Sequence, residues 1–263
     1  MLTDDVRKEI AAKIYHCFQE RAPIPLLTKT YPDIEIGDAY HIQNYVVSSF
    51  KQAGSRVKGY KIGLTSKAVQ QLVGSTEPNF SPLLDHMFTT EQSELARSNW
   101  LTPVVESELA FVIKDRLTGP GINVADIIRG TDFVLPAIEI ADFRVARAPG
   151  MDVRDITADM AAAGGLVLGG NPVSLHDIDI RAVNCSLIIN EDERAKGGAS
   201  EVLGNPLSAV AWLANKLSEF GVALEPGQVI LSGAMLNAQP VEAGDQILAR
   251  FDNGLGDIKL SFN

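Results

Sequence analysis

Three glutamates in two apolar runs are the residues of this sequence best suited to chemistry. In Pro103-Val-Val-Glu106-Ser-Glu108-Leu-Ala-Phe-Val-Ile113, β-branched and aromatic residues favour a strand. Strand side chains alternate between faces, so Glu106 and Glu108 project side by side with Ala110. Burying two neighbouring carboxylates is costly, because like charges with little water between them repel and push one pKa upward. A divalent cation removes that conflict, and oxygen donors alone suit a hard ion such as Mg²⁺ or Mn²⁺. Glu139, in the strand-like run Phe133-Val-Leu-Pro-Ala-Ile-Glu139-Ile140, could supply a third carboxylate. A solvated face of a half-exposed strand also explains the pair.

A second candidate is Val57-Lys-Gly-Tyr-Lys61-Ile-Gly63-Leu-Thr65-Ser66, which reads as a strand, a glycine-containing turn and the start of a short helix. Helix N-termini present unpaired N–H groups to anions, so Thr65 and Ser66 mark a carboxylate-binding corner to which Lys61 adds charge. A plain helix cap at Ser66 is the alternative. His16 and His41 have no partner at ligand spacing, and Cys17 and Cys185 fit buried free thiols.

The elements that must position these groups follow from periodicity. Val6, Ile10, Ile14 and Phe18 form one stripe of a helix capped by Thr3, and Ala39, Ile42, Val46 and Phe50 form that of a second helix over 38–53. Together they predict a helical cap over residues 1–55, ahead of a catalytic domain over 56–263. Residues 144–170 read as irregular, and Asn190-Glu-Asp-Glu-Arg194 as a turn after an alternating strand from Val183. Asn205 and Pro206 start the clearest helix, which Gly221 ends, and three further strands are expected near Val229–Gly233, Gln246–Asp252 and Asp257–Phe262.

Composition limits the function classes. The chain has 263 residues, 46% of them hydrophobic, and a net charge of −10. That balance allows a packed core and argues against nucleic acid as a partner, since phosphate binding requires a basic surface. No apolar run suits a membrane span and the first residues lack the pattern of a signal peptide, so a cytoplasmic protein with no membrane partner is expected.

In sequence the chain resembles the hydratase/decarboxylase branch of the fumarylacetoacetate hydrolase superfamily over nearly its whole length. The resemblance rests on Lys61-Ile-Gly-Leu-Thr-Ser66, Glu106-Ser-Glu108-Leu, Asp132-Phe-Val-Leu-Pro-Ala-Ile-Glu139, Asn205-Pro-Leu through Trp212-Leu-Ala-Asn-Lys-Leu217, and Val229-Ile-Leu-Ser232-Gly233. It implies an α+β fold with a mixed, curved β core and an N-terminal helical cap. It implies that Glu106, Glu108 and Glu139 hold Mg²⁺ or Mn²⁺, that Lys61 is catalytic, that Asp159 handles protons or supports the site, and that Ser232-Gly233 meets the substrate. The implied substrate is a small 2-oxo or 2-hydroxy acid, and a homo-oligomer is expected. Hydration of a 2-hydroxy-2,4-dienoate to a 4-hydroxy-2-oxo acid, as in meta-cleavage degradation of aromatics, is the expected reaction. Decarboxylation of 2-oxo-3-hexenedioate and a low-activity subunit in complex with a homologous enzyme are the alternatives. The sequence departs from the family pattern at Asn79 and His86, where acidic residues are usual, and at Met160, where Asn is frequent. Asp85 is a substitute for the missing acid, and His86 a candidate base.

Overall fold

A computed structural model describes all 263 residues. Helix α1 (Asp4–Glu20) begins at Thr3, whose hydroxyl accepts from the Val6 N–H. After one turn of helix, α2 (Leu27–Thr30), comes α3 (Ile36–Gln52). It starts two residues before the expected Asp38 because that side chain is part of the cap: its carboxylate accepts from the Glu35 N–H at 2.9 Å. Asp38 also pairs with Arg7 at 2.6 Å and ties α3 to α1.

The remaining elements are β1 (Val57–Gly63), α4 (Lys67–Leu72), β2 (Asn79–Leu84), β3 (Phe88–Thr90), β4 (Glu94–Leu95), β5 (Val104–Ile113), α5 (Val124–Gly130), β6 (Thr131–Ala141), α6 (Val153–Ala158), β7 (Ala163–Leu168), β8 (Asn184–Ile189), β9 (Asp192–Gly198), α7 (Pro206–Ser218), β10 (Val229–Leu231), β11 (Gln239–Pro240), β12 (Gln246–Phe251) and β13 (Gly256–Phe262). The large sheet runs β2-β1-β10-β5-β6-β7-β3, with β11 beside the start of β5, and a second sheet runs β4-β13-β12-β8-β9. Both are mixed: β1 and β10, β3 and β7, and β4 and β13 pair parallel, the other neighbours antiparallel. Register shifts near Gly59, Ile113 and Ala141 bend the large sheet into the expected curled core.

Apolar side chains alternating along β8, β12 and β13 pack with α7 and one face of the large sheet into the main core. The other face carries Leu83, Ala110, Ala137, Leu166 and Leu231, which share a second core with α1 and α3. Residues 1–55 therefore pack directly on the sheet face that bears Glu108, two residues from Ala110.

Two segments differ from expectation. The stretch over 144–170 contains α6 and β7; the glycine pairs around Leu166 read as loop markers, yet β7 lies between β6 and β3. The turn after β8 is only Asn190 and Glu191, at φ 53° and 71°, and the charged residues beyond it form β9. A two-residue hairpin turn requires such left-handed positions, and an exposed edge strand shows no apolar alternation.

At Gly59, a Cβ would sit 1.8 Å from the Val229 carbonyl oxygen of the neighbouring strand. Backbone cannot rotate aside, so Gly59→Ala is expected to cost about 3 kcal/mol, read as a lower denaturant midpoint.

Candidate metal centre and cavity

Strand register builds the site. Pairing of β5 with β6 sets Glu106 opposite Glu139 and Glu108 opposite Ala137, so the three carboxylates share a face. Lys61 reaches that face from β1, through Leu231 of β10 and Ala110 of β5. One oxygen from each glutamate lies within 4.8 Å of the others. Glu108 and Glu139 are buried, and Glu106 opens on to a cavity of about 880 Å³.

The cluster is short of positive charge. Lys61 Nζ lies 2.6 Å from Glu139 Oε1 and donates to the Ala161 carbonyl at 2.9 Å. The Gly233 N–H donates to Glu108 Oε2 at 2.8 Å, while Glu139 Oε2 has no hydrogen-bond partner. Three carboxylates thus face one ammonium. Burial, followed by repulsion from Glu139, pushes Glu106 up to about 7 and Glu108 well above the usual carboxylate range. For Lys61, burial favours the neutral amine, but Glu139, Glu106 and Glu108 outweigh it and hold the ammonium form. The all-oxygen donor set, the deficit of two positive charges and the unpartnered Glu139 oxygen fit a hard divalent cation.

That fit carries a pH dependence. Glu106 and Glu108 hold protons in the fold that they would release when unfolded. The Glu106 contribution to stability is complete below about pH 4.5 and is lost as pH rises through about 7, and that of Glu108, raised well above the usual carboxylate range, is lost in the same direction. A cation needs all three ionised, so binding releases protons, and Mg²⁺ should raise the melting temperature far more at about pH 8 than at about pH 5.5. An equal rise at both pH values would contradict this account of the charges.

Thr65 and Gly233 fit each other beside the cluster. Gly233 sits at φ 114°, and a Cβ there would meet Thr65 Oγ1 at 2.4 Å, so glycine is what lets its N–H reach Glu108. Thr65 and Ser66 line the cavity, but the Ser66 hydroxyl accepts from the Val69 N–H at 3.3 Å and caps the six-residue α4. The cap at Ser66 is therefore present, on residues that also face the cavity. Asn79 also lines the wall: its Nδ2 donates to Thr157 Oγ1 at 3.1 Å, and its Oδ1 has no partner.

Four expected site residues lie elsewhere. Asp159 is buried off the cavity, and its carboxylate accepts from Arg144 Nε at 2.7 Å and from the Arg144 and Val145 N–H groups at 2.7 and 3.0 Å. Burial pushes it up to about 6 against the pull of Arg144, and its oxygens face Arg144 and Val145, off the cavity wall. Asp85 and His86 sit on an outer turn between β2 and β3. The His86 ring packs on Phe50 with Nδ1 3.2 Å from Ser55 Oγ, so neither residue reaches the cavity. Ser232 is fully buried off the wall, its N–H bonded to the Leu109 carbonyl.

Sequence reasoning missed the device that holds Lys61. Met160, Ala161 and Ala162 are all left-handed, at φ 51°, 48° and 58°. Arg144 brackets this turn, donating to the Asp159 carbonyl at 2.7 Å and the Ala163 carbonyl at 2.9 Å. Its guanidinium lies 4.3 Å from the Phe18 ring of α1. Met-Ala-Ala lies in a stretch that reads as irregular and itself has no glycine to mark a left-handed turn, and a single Arg in the sequence carries no sign of burial.

A curled mixed sheet with an acidic cluster at a cavity defines the class, and the comparisons agree. Residues 58–262 match the family described as fumarylacetoacetate (FAA) hydrolase C-terminal. The chain is 36% identical to a 2-oxo-hept-4-ene-1,7-dioate hydratase of Escherichia coli, over 96% of each chain. It is 35% identical to a 2-keto-4-pentenoate hydratase of Paraburkholderia xenovorans, covering 99% of this chain and 96% of that one. The solved 4-oxalocrotonate decarboxylase from Pseudomonas putida G7, complexed with magnesium and adipate, superposes with a TM-score of 0.96 at 31% identity, covering 100% of this chain and 99% of that one. The chain belongs to the fumarylacetoacetate hydrolase family. None of its helices is long and apolar enough to cross a membrane.

Proposed function

We propose that the chain is a Mg²⁺- or Mn²⁺-dependent lyase that hydrates a 2-hydroxy-2,4-dienoate, or its 2-oxo tautomer, to a 4-hydroxy-2-oxo acid. The observation that carries this is the trio of glutamates with one lysine at the floor of a cavity, in a chain more than a third identical to a named hydratase. Glu106, Glu108 and Glu139 would hold the cation, which when bound supplies electrophilic stabilisation to negative charge developing on the 2-oxo oxygen. Glu139 and the Ala161 carbonyl occupy two of the three Lys61 protons, leaving one for the substrate carboxylate. Gly233 orients Glu108, and Thr65 packs against that turn. Asn79 Oδ1 is an open acceptor that can hold a water or a substrate hydroxyl, although a neutral amide cannot shuttle a proton.

The same amide supports the second reading, decarboxylation of 2-oxo-3-hexenedioate. There electrons leaving the distal carboxylate flow to the 2-oxo oxygen and no water is activated, so the lack of an acid at Asn79 costs nothing. Presenting 2-hydroxypenta-2,4-dienoate and 2-oxo-3-hexenedioate separately and identifying products by mass separates the two. A 4-hydroxy-2-oxo acid supports the hydratase, CO₂ without hydration supports the decarboxylase, and turnover of neither by metal-loaded protein contradicts both. We also propose a homo-oligomer, or a complex with a homologous enzyme, because Leu72, 82% exposed, and Val69 form an apolar edge on α4 at the cavity mouth. Light scattering reads which one forms.

A further inference from the structure

We infer that Arg147 anchors a second carboxylate, so that the cavity takes a dicarboxylic 2-oxo acid in preference to a monocarboxylic one. The inference rests on the metal-site reading above, which seats the first carboxylate and the 2-oxo group at the glutamates. Arg147 stands on the exposed segment after β6, lines the cavity, and has its guanidinium 5.5 Å from the ring of Phe143, another wall residue. It forms no ion pair, whereas the other two cations on the wall are engaged: Lys61 by Glu139, and Lys196 by Glu193 at 2.8 Å. Arg147 is therefore the cavity cation that no carboxylate contacts, although its charge is felt by Glu106.

Size and polarity support the same occupant. A volume of about 880 Å³ is near the top of the range of about 300–1,000 Å³ common for ligand sites, more than a five-carbon acid needs. Val104, Met151, Met235 and Leu236 give part of the wall an apolar character that suits a carbon chain. At the far end of that chain a second carboxylate would feel the field of the glutamates, which neutral wall groups such as Asn79 and Asn237 do not offset and a cation would. A guanidinium presents the paired N–H groups that match a carboxylate, and the Phe143 ring beneath it limits its freedom before binding.

The test uses two saturated 2-oxo acids of equal length, which lack the double bond required for reaction: 2-oxoadipate and 2-oxohexanoate. Their binding to Mn²⁺-loaded protein is measured by calorimetry. The diacid should bind at least about tenfold more tightly, Arg147→Met should bring the ratio of the two affinities close to one, and Arg147→Lys should keep part of it. A ratio near one in the unaltered protein, or one that Arg147→Met leaves unchanged, overturns the anchor while the metal-site reading stands. Failure of both acids to bind Mn²⁺-loaded protein overturns the metal-site reading, and the anchor with it.

Discussion

Glu106→Gln is expected to abolish saturable Mn²⁺ binding and to lower kcat/KM by on the order of a thousandfold or more, because on the proposed reading it removes a cation ligand and with it the charge that the reaction would use. The same substitution should make the metal-free protein more stable, not less. Without a cation, burial and the Glu139 charge hold Glu106 up to about 7, so at about pH 8 the ionised side chain works against the fold. A neutral amide of the same shape removes that repulsion. In chelator at about pH 8 the variant should therefore melt above the unaltered protein, and with added Mg²⁺ the order should reverse. A variant that melts lower in chelator would mean that Glu106 is held by structural partners, not by an ion.

Arg144→Met is the change expected to damage the fold most. Both members of the Arg144–Asp159 pair are about 1% exposed, and deleting one leaves the other as an uncompensated buried charge, at a cost of about 3–5 kcal/mol. Asp159 already sits up at about 6 with its partner present. A buried carboxyl raised in this way can be neutralised by a proton, so the penalty should be larger at about pH 8 than at about pH 5.5. Adding Asp159→Leu should return part of the lost stability, since the stranded charge is then gone. Turnover should fall as well: the left-handed turn that Arg144 brackets carries the Ala161 carbonyl, one of the two groups that hold Lys61. Denaturant midpoints at the two pH values, for both the single and the double variant, test the charge account.

The fold was legible where an element carries a buried apolar face or an unbroken run of strand-favouring residues. Period-two alternation found β8, β-branched and aromatic residues found β5, and period-four stripes found α1, α3 and α7. It was illegible for β9, whose charged side chains face solvent at a sheet edge, and for β7, which glycines disguise as loop. At the site, alternation alone put Glu106 and Glu108 on one face, but bringing Glu139 opposite Glu106 required the register of two strands. Asp159 and His86 show the limit of a motif. A motif gives the residue type at a position; it does not say that Arg144 pairs with the one carboxylate away from the cavity, or that the imidazole packs against the end of α3. Three successive left-handed residues without a glycine cannot be read from Met-Ala-Ala, because Arg144, sixteen residues before Met160, supplies the hydrogen bonds that hold them.

The most direct test of the central claim, that the glutamate cluster is a cation site on which turnover depends, is one titration that follows bound Mn²⁺ and turnover of the unsaturated 2-oxo acid together in chelator-stripped protein. The account predicts no turnover at the start and a rise that saturates at one Mn²⁺ per chain, with both signals lost in Glu106→Gln. Turnover that persists in chelator, or that saturates without Mn²⁺ bound at this cluster, would contradict it.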